Sequence, residues 1–484
     1  MDFTELYRHT VGLVEISPGT QFVLTAVEDR LIVRRTESFQ IARTWLIDNS
    51  HSPSALVLSG TSSLHPAARS KAADAPSNGW ITHLGWSSDS EYILAACAKR
   101  SVVNVYKLQD EEWSARIEAG VEGLVKAEWA PDGRHILCFS EWGLRVTIWS
   151  LVTGTATYIQ FPKYPDKGWA FRKDGRYFIL AERHKSKDTI GVYDAGDGYK
   201  IVRHYTAPTS SMASFALSPK GTELAMWEGP IEYKLCIVSL AGDHIATFTP
   251  NIDPGLGIRC VTWHRSGLFL GVGGYDDKIY ILNNLTWKSV AVIEFNHRIP
   301  ATSSAHVWRE PPNWLESTNG RGFLAYDRAS LPVSLPVDKP DASKPHPRIG
   351  VVQLTWNVDG TLLLVRFEQA PTVVFIYSFP APGEPFVVTL RSVLVQTRPV
   401  SYARWNPVKP GHLCVSCDNG ALYTWNDDWV GDDNVNEIAE CIAIPAKKFL
   451  AREVRWAPDG KGIIVLDKDV FCCAYEVEAG DEQT

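Results

Sequence analysis

One pattern recurs nine times along the 484 residues: a strand-like run closed by an aromatic or large aliphatic residue, a tight turn, and a second apolar run. In "AEWAPDGRHILCF" (127–139), Trp129 closes the first run and Pro131-Asp132-Gly133 supplies the turn. Proline presets φ in such a turn, and glycine accepts the left-handed backbone it requires. The nine closing residues are Ile16, Trp86, Trp129, Phe171, Leu217, Trp263, Trp356, Trp405 and Trp456. From Trp86 to Trp263 the intervals are 43, 42, 46 and 46 residues. Propeller blades of the WD type repeat at about 40–45 residues. A unit this short cannot bury its own apolar faces, so it must stack on copies of itself.

Each unit parses into four strands. After "HILCF", Glu141-Trp142-Gly143 turns the chain into "LRVTIWSL", and Thr153-Gly154-Thr155 turns it again into "TATYIQF". Third strands matching "LRVTIWSL" are "SVVNVYKL", "TIGVYDA", "YKLCIVSL", "DKIYILNN", "TVVFIYSF", "ALYTWND" and "FCCAYEVE". They alternate or are rich in β-branched and aromatic residues, and no long window sustains a helical period. The expected fold is all-β: a WD-repeat β-propeller occupying 1–484, its nine four-stranded repeats closing as one ring. Two rings of four or five blades also fit the length. The last unit stops after its third strand, while "FTELYRH" at the N-terminus has no blade of its own. Closure by a shared blade needs such a pair of unpartnered segments, because it protects the sheet edges. Two insertions interrupt the spacing. One is 49–79, rich in Ser, Ala and Pro, which reads as disordered. The other is about 297–348, Pro-rich, in which "GFLAYDRASLPVSL" could supply a degenerate blade.

Chemistry is harder to find than architecture. A formal charge of −7 gives no basic field for nucleic acid, and no apolar run is long enough to span a membrane. The N-terminal stretch has no apolar core of the kind a secretory signal carries. Among nine cysteines, Cys97, Cys138, Cys236 and Cys260 lie in apolar runs. The lone CxxC (Cys414, Cys417) sits in a strand-like segment without a second ligand pair, and Cys472 and Cys473 should point to opposite strand faces. No metal site, cofactor or catalytic residue is expected. GxSxG, HExxH and Walker sequences are absent, and His135 and His184 read as ordinary surface histidines beside turns.

What remains is the edge formed by the loops between second and third strands. It carries mixed charges and aromatics, the composition of protein-interface anchors. The candidate contact residues are Trp142 and Arg145, Arg183 and Lys185, and the run Tyr275, Asp276, Asp277 and Lys278. Trp142 has an alternative role as a packing residue between blades, and Asp276 and Asp277 read as solvated loop acids rather than catalytic carboxylates.

The stretch 122–151, "EGLVKAEWAPDGRHILCFSEWGLRVTIWSL", and the segments "LGIRCVTW" and "GGYDDKIYILNNLTWK" within 256–288 resemble the WD repeat-containing protein eight family. "DGRYFILAERHKSKD" (174–188), "EYKLCIVSL" (232–240), "LPVSL" (331–335) and "IGVVQLTW" (349–356) extend the resemblance, which covers about 2–475. The 49–79 insertion departs from the family pattern. The resemblance implies a non-catalytic adaptor at the microtubule organising centre, the spindle pole body or centrosome, within the cytoplasm. It implies a coiled-coil spindle-pole anchoring protein and a minus-end-directed kinesin-14 as partners, with microtubules and gamma-tubulin engaged indirectly. Neither nucleic acid nor membrane is an expected partner. The competing readings are an RNA- or translation-associated propeller, which the acidic balance disfavours, and a hydrolase or lyase propeller with a carboxylate-lined hub.

Overall fold

The computed structural model describes residues 1–47, 56–59, 79–252, 254–339, 349–381, 383–428 and 436–476. The fold is all-β, with nine blades of four antiparallel strands, the β-propeller class read from the repeats. Four blades lie in one compact unit, Arg8–Ala207, and five in a second, Met1–Tyr7 with Pro208–Thr484. Each of the nine closing residues is the last residue of its blade's first strand, from Val14–Ile16 in blade one to Glu453–Trp456 in blade nine.

The second strand of blade three, His135–Phe139, shows why the apolar runs are continuous rather than alternating. Successive side chains point to opposite sheet faces. Ile136 and Cys138 enter the core shared with blade two, whereas Leu137 and Phe139 enter the core shared with blade four. A strand buried on both faces must be apolar throughout. Each successive pair of blades within a unit encloses a core of this kind, as Leu24 and Ile93 do for blades one and two and Leu422 and Val465 for blades eight and nine.

The recurring tryptophan has a directional role as well as a packing one. The indole N–H of Trp129 donates to the Gly85 carbonyl (3.1 Å), and Gly85 directly precedes the closing residue of the previous blade. The same reach backward joins Trp86 to Glu15 (3.4 Å), Trp263 to Ala216 (3.1 Å), Trp405 to Thr355 (3.1 Å) and Trp456 to Arg404 (3.0 Å). In blade four the closing residue is Phe171, and Trp169 instead donates to the Glu128 carboxylate of blade three. A matching bond runs forward. Asn357 and Asn406, each following a closing tryptophan, donate to the Pro410 (2.9 Å) and Gly460 (2.8 Å) carbonyls in the first turn of the next blade. Gly460 has φ +70, and a Cβ there would lie 2.3 Å from Asn406 Oδ1, so the turn and the stitch both require glycine. We expect Trp129→Phe to keep most of the packing, lose the bond to Gly85 and cost about 1–2 kcal/mol of stability, read from the urea midpoint.

Blade nine is completed from the other end of the chain. Asp2–Phe3 pairs antiparallel with Ala474 and Tyr475, supplying the strand that the C-terminal repeat lacks. The completion of the last repeat by the N-terminal segment, read from the two unpartnered ends, is present.

The insertions behave differently from the sequence reading. Most of 49–79 lies outside the described residues, the disorder expectation with it. Within it the backbone of Leu56–Ser59 pairs parallel with the outer strand of blade two, Ser114–Glu118. Among its described residues the second insertion builds no degenerate blade. Its strand His306–Arg309 adds in parallel to the outer strand of blade seven, Thr389–Val395, and Phe323–Ala325 adds antiparallel to the outer strand of blade eight, Ile438–Ala443. A one-turn helix, Trp314–Ser317, lies between them. Two-residue strands such as Asp327–Arg328 and Val333–Ser334 cannot sustain a sheet of their own, so they pair with the insertion's other segments.

Two buried carboxylates rivet this insertion down. Glu310 accepts hydrogen bonds from Trp314 Nε1 (2.9 Å), Tyr423 Oη (2.5 Å), and Thr397 N and Oγ1 (both 2.6 Å). Glu437 of blade eight accepts from Trp308 Nε1 (3.0 Å) and Ser392 Oγ (2.7 Å) and pairs with His306 and Arg391. Nearby, Gln396 donates to the hydroxyl of buried Tyr326 (2.6 Å).

Candidate docking surface

The loops joining second to third strands fall where the repeat predicts, and two of them meet. In blade three the turn Glu141–Gly143 lies between His135–Phe139 and Arg145–Ser150. Trp142 occupies it at φ +61 with 89% of its surface exposed. It is therefore no packing residue between blades. Gly143 follows at φ +62, close against the Pro162 carbonyl, so the turn needs two consecutive left-handed residues. A left-handed conformation costs a residue with a side chain roughly 1–2 kcal/mol. Ser140 fixes the base of the turn, accepting from Arg145 N (2.8 Å) and donating to Arg145 O (2.9 Å).

Arg145 is held rather than free. Its guanidinium pairs with Glu122 (3.0 Å) and lies over the Tyr158 ring at 4.5 Å. Beside the turn, Leu144 accepts a backbone bond from Phe161, and Phe161 in turn accepts one from Arg183 in blade four (both 3.0 Å). Leu144 and Phe161 are each nearly half exposed, and Phe161, like Trp142, has positive φ. The Phe161 ring packs edge-on to His184 at 5.1 Å. Through Phe161 the backbone thus links the end of the Trp142 turn to the Arg183–Lys185 hairpin, with Leu144 and Phe161 partly exposed between them. Leu144 and Phe161 went unread in the sequence because neither lies in a turn motif. Phe161 is set there by the end of its strand, Ala156–Gln160.

The second group, Tyr275 to Lys278, sits on blade six of the other unit. Asp276 and Asp277 are not solvated loop acids. Both are half-buried: Asp276 accepts from Tyr280 Oη (3.1 Å), and Asp277 accepts from Gly350 N (2.7 Å). Burial pushes both carboxyls above the ordinary aspartate range. Arg259 lies over the Tyr275 ring at 5.0 Å, and Lys278 pairs with Glu294 (2.7 Å). Each of the four side chains of this group thus has a partner within the protein. His184 also departs from its reading as a plain surface histidine, since its Nε2 lies 3.2 Å from the buried Glu182 carboxylate. The cysteines are packing residues. Cys414 and Cys417 are buried, and burial raises both thiols far above their ordinary range.

A further concavity escaped the sequence reading. A cavity of about 770 Å³ opens between blades eight and nine, lined by Phe3, Phe323, Trp425, Ile442 and Trp456, with Glu476 at its border. Phe323 is 71% exposed and comes from the insertion. Glu476 hydrogen-bonds to His412 and pairs with Lys409, and these contacts hold its carboxyl down at about 2. A depressed carboxyl contributes stability above its unfolded value near 4.5, lost as pH falls through about 2. We expect Glu476→Gln to flatten the acid loss of stability between those two values, measured by urea unfolding at stepped pH.

No family model matches the chain. It is similar to the mouse (Mus musculus) protein "WD repeat-containing protein WRAP73", at 29% identity over 494 aligned positions spanning 98% of this chain and 96% of that one. A likeness running nearly end to end is consistent with the WD-repeat family resemblance read from the motifs, and with the nine blades observed.

Proposed function

We propose that this chain is a non-catalytic WD-repeat scaffold of the microtubule organising centre, holding a coiled-coil anchoring protein and a kinesin-14 motor near microtubule minus ends. The coarser part of that reading, a WD-repeat β-propeller scaffold, is supported by the near full-length likeness to a WD-repeat protein. The spindle-pole part rests on the motif resemblance in 122–151 and 256–288. The observation that carries the docking role is Trp142, a tryptophan both exposed to 89% and set in a left-handed turn. Neither burial nor backbone preference accounts for a tryptophan there, and strained positions concentrate where a partner is bound. Leu144 and Phe161 add partly exposed apolar surface on the same backbone link, which leads on to the Arg183–Lys185 hairpin. That arrangement suits an acidic amphipathic helix, the face a coiled-coil segment presents when its apolar stripe is incompletely paired.

The blades make such a surface inexpensive to use. Each loop is fixed by hydrogen bonds to its neighbour, so little conformational freedom is lost on docking. The test is affinity capture of the tagged full-length chain from mitotic extract, with microscopy of the same tag. A coiled-coil protein and a minus-end motor in the eluate, with signal at the poles, is the expected result. An even cytosolic signal with ribosomal proteins in the eluate would instead support the translation-associated reading and overturn this one.

A further inference from the structure

The geometry points to a transition-metal site on blade four, formed by Glu182, His184 and His204, for a zinc-like divalent ion. Glu182 and His184 are two residues apart on the strand Tyr177–His184, so their side chains share one sheet face. His204 lies on the outer strand, Lys200–Thr206, with the strand Lys187–Asp194 between them. The middle strand carries Gly191 directly opposite His204. A Cβ on Gly191 would sit 2.2 Å from Glu182 Oε1. Glycine therefore leaves the gap through which His204 reaches a carboxylate two strands away.

The three ligand atoms converge. His184 Nε2 and His204 Nε2 lie 3.2 and 3.0 Å from the same oxygen, Glu182 Oε2, and all three atoms are within 4.8 Å of one another. Ligand atoms around tetrahedral zinc, at bonds of roughly 2.0–2.1 Å, stand about 3.3 Å apart. Two edges of the site are already at that length, and rotation of the half-exposed imidazoles closes the third. The carboxylate is 2% exposed, and among the described residues no lysine or arginine pairs with it. Its side-chain partners are Tyr193, His184 and His204, none of which carries a permanent positive charge. A divalent ion supplies that charge.

The outer layer is also built. Tyr193 donates its hydroxyl to the other carboxylate oxygen, Oε1, orienting Oε2 toward the histidines. Outer contacts of this kind fix ligand geometry in metal sites. Two imidazoles and one carboxylate match zinc's ligand preference, and three protein ligands leave a fourth position for water or a partner's side chain. Through Phe161, packed on His184, the site is linked to the end of the Trp142 turn.

The test uses the full-length chain free of any histidine tag, titrated with Co²⁺ and with Zn²⁺ by calorimetry and by visible absorption. Expected are one ion per chain, tetrahedral Co²⁺ bands that Zn²⁺ displaces, and a melting temperature raised by Zn²⁺. His204→Gln and His184→Gln, at half-exposed positions, should each weaken Co²⁺ affinity at least tenfold, and Tyr193→Phe about tenfold or more. The control His244→Ala, on blade five, should leave binding unchanged. A wild-type chain that takes up no Co²⁺ overturns the proposal without reference to any variant. So does binding that persists in the His184,His204 double variant. Both outcomes are independent of whether the Trp142 turn docks a partner.

Discussion

Replacing Glu310 by alanine is expected to lower stability by about 4 kcal/mol, near the upper limit for one substitution. Glu310 sits in the insertion, yet it accepts from Tyr423 of blade eight, from Thr397 after the outer strand of blade seven, and from its own helix through Trp314. Truncation leaves an indole N–H and a phenol O–H buried without an acceptor, and each orphaned donor costs about 1–3 kcal/mol. It also releases the parallel strand His306–Arg309, whose edge pairing with blade seven closes that sheet's outer side. The Tyr423 hydroxyl is held protonated, by burial first and the Glu310 carboxylate second, so it remains a donor at every accessible pH. Glu310→Gln should lose about half as much, because the amide keeps one acceptor but turns an N–H₂ toward groups that themselves donate. Urea unfolding of the three proteins provides the comparison. If alanine costs less than about 1 kcal/mol, the insertion is a loose appendage rather than a brace.

The same network shows where sequence reasoning stops. The blades were legible because each is local: a closing aromatic, a turn and an apolar strand lie within a dozen residues, and the pattern repeats. The completion of blade nine by the N-terminal segment was also legible, since unpartnered segments at both ends demand partners. Glu310 and Glu437 were invisible for the opposite reason. Their partners lie up to 131 residues away, and nothing in "VWREPPNW" announces that its acid is buried. The strands of the insertion are two to four residues long, too short to show a period, and exist only as additions to sheets formed elsewhere. The histidines of blade four failed similarly. His184 reads as a surface residue until Gly191, on the next strand, brings His204 and Glu182 to it. Trp142 was placed correctly on its loop, but only the backbone angle showed that the turn holds tryptophan against its own preference.

That angle gives the second large prediction, because it separates binding from folding. Trp142→Gly should reduce affinity for the proposed anchoring partner by about 30-fold or more, equivalent to about 2 kcal/mol, the range of an interface hot spot. A packing tryptophan lost from a core would cost about 3–5 kcal/mol of stability as well. Here the opposite is expected. Glycine accepts φ +61 without the strain the indole-bearing residue endures, which offsets the entropy glycine loses on folding, so stability should be unchanged or slightly raised. Trp142→Ala keeps the strain and loses the indole, and should match glycine in binding while melting no higher than the parent. Arg145→Ala gives a contrast: it breaks the pair with Glu122 and the contact with Tyr158, so it should lower stability modestly, and binding only indirectly. The pull-down signal and the melting temperature of each variant, measured on the same preparation, decide the matter. Binding that survives Trp142→Gly would move the docking site elsewhere. The apolar cavity between blades eight and nine, with Phe323 standing exposed at its mouth, is then the surface to test next.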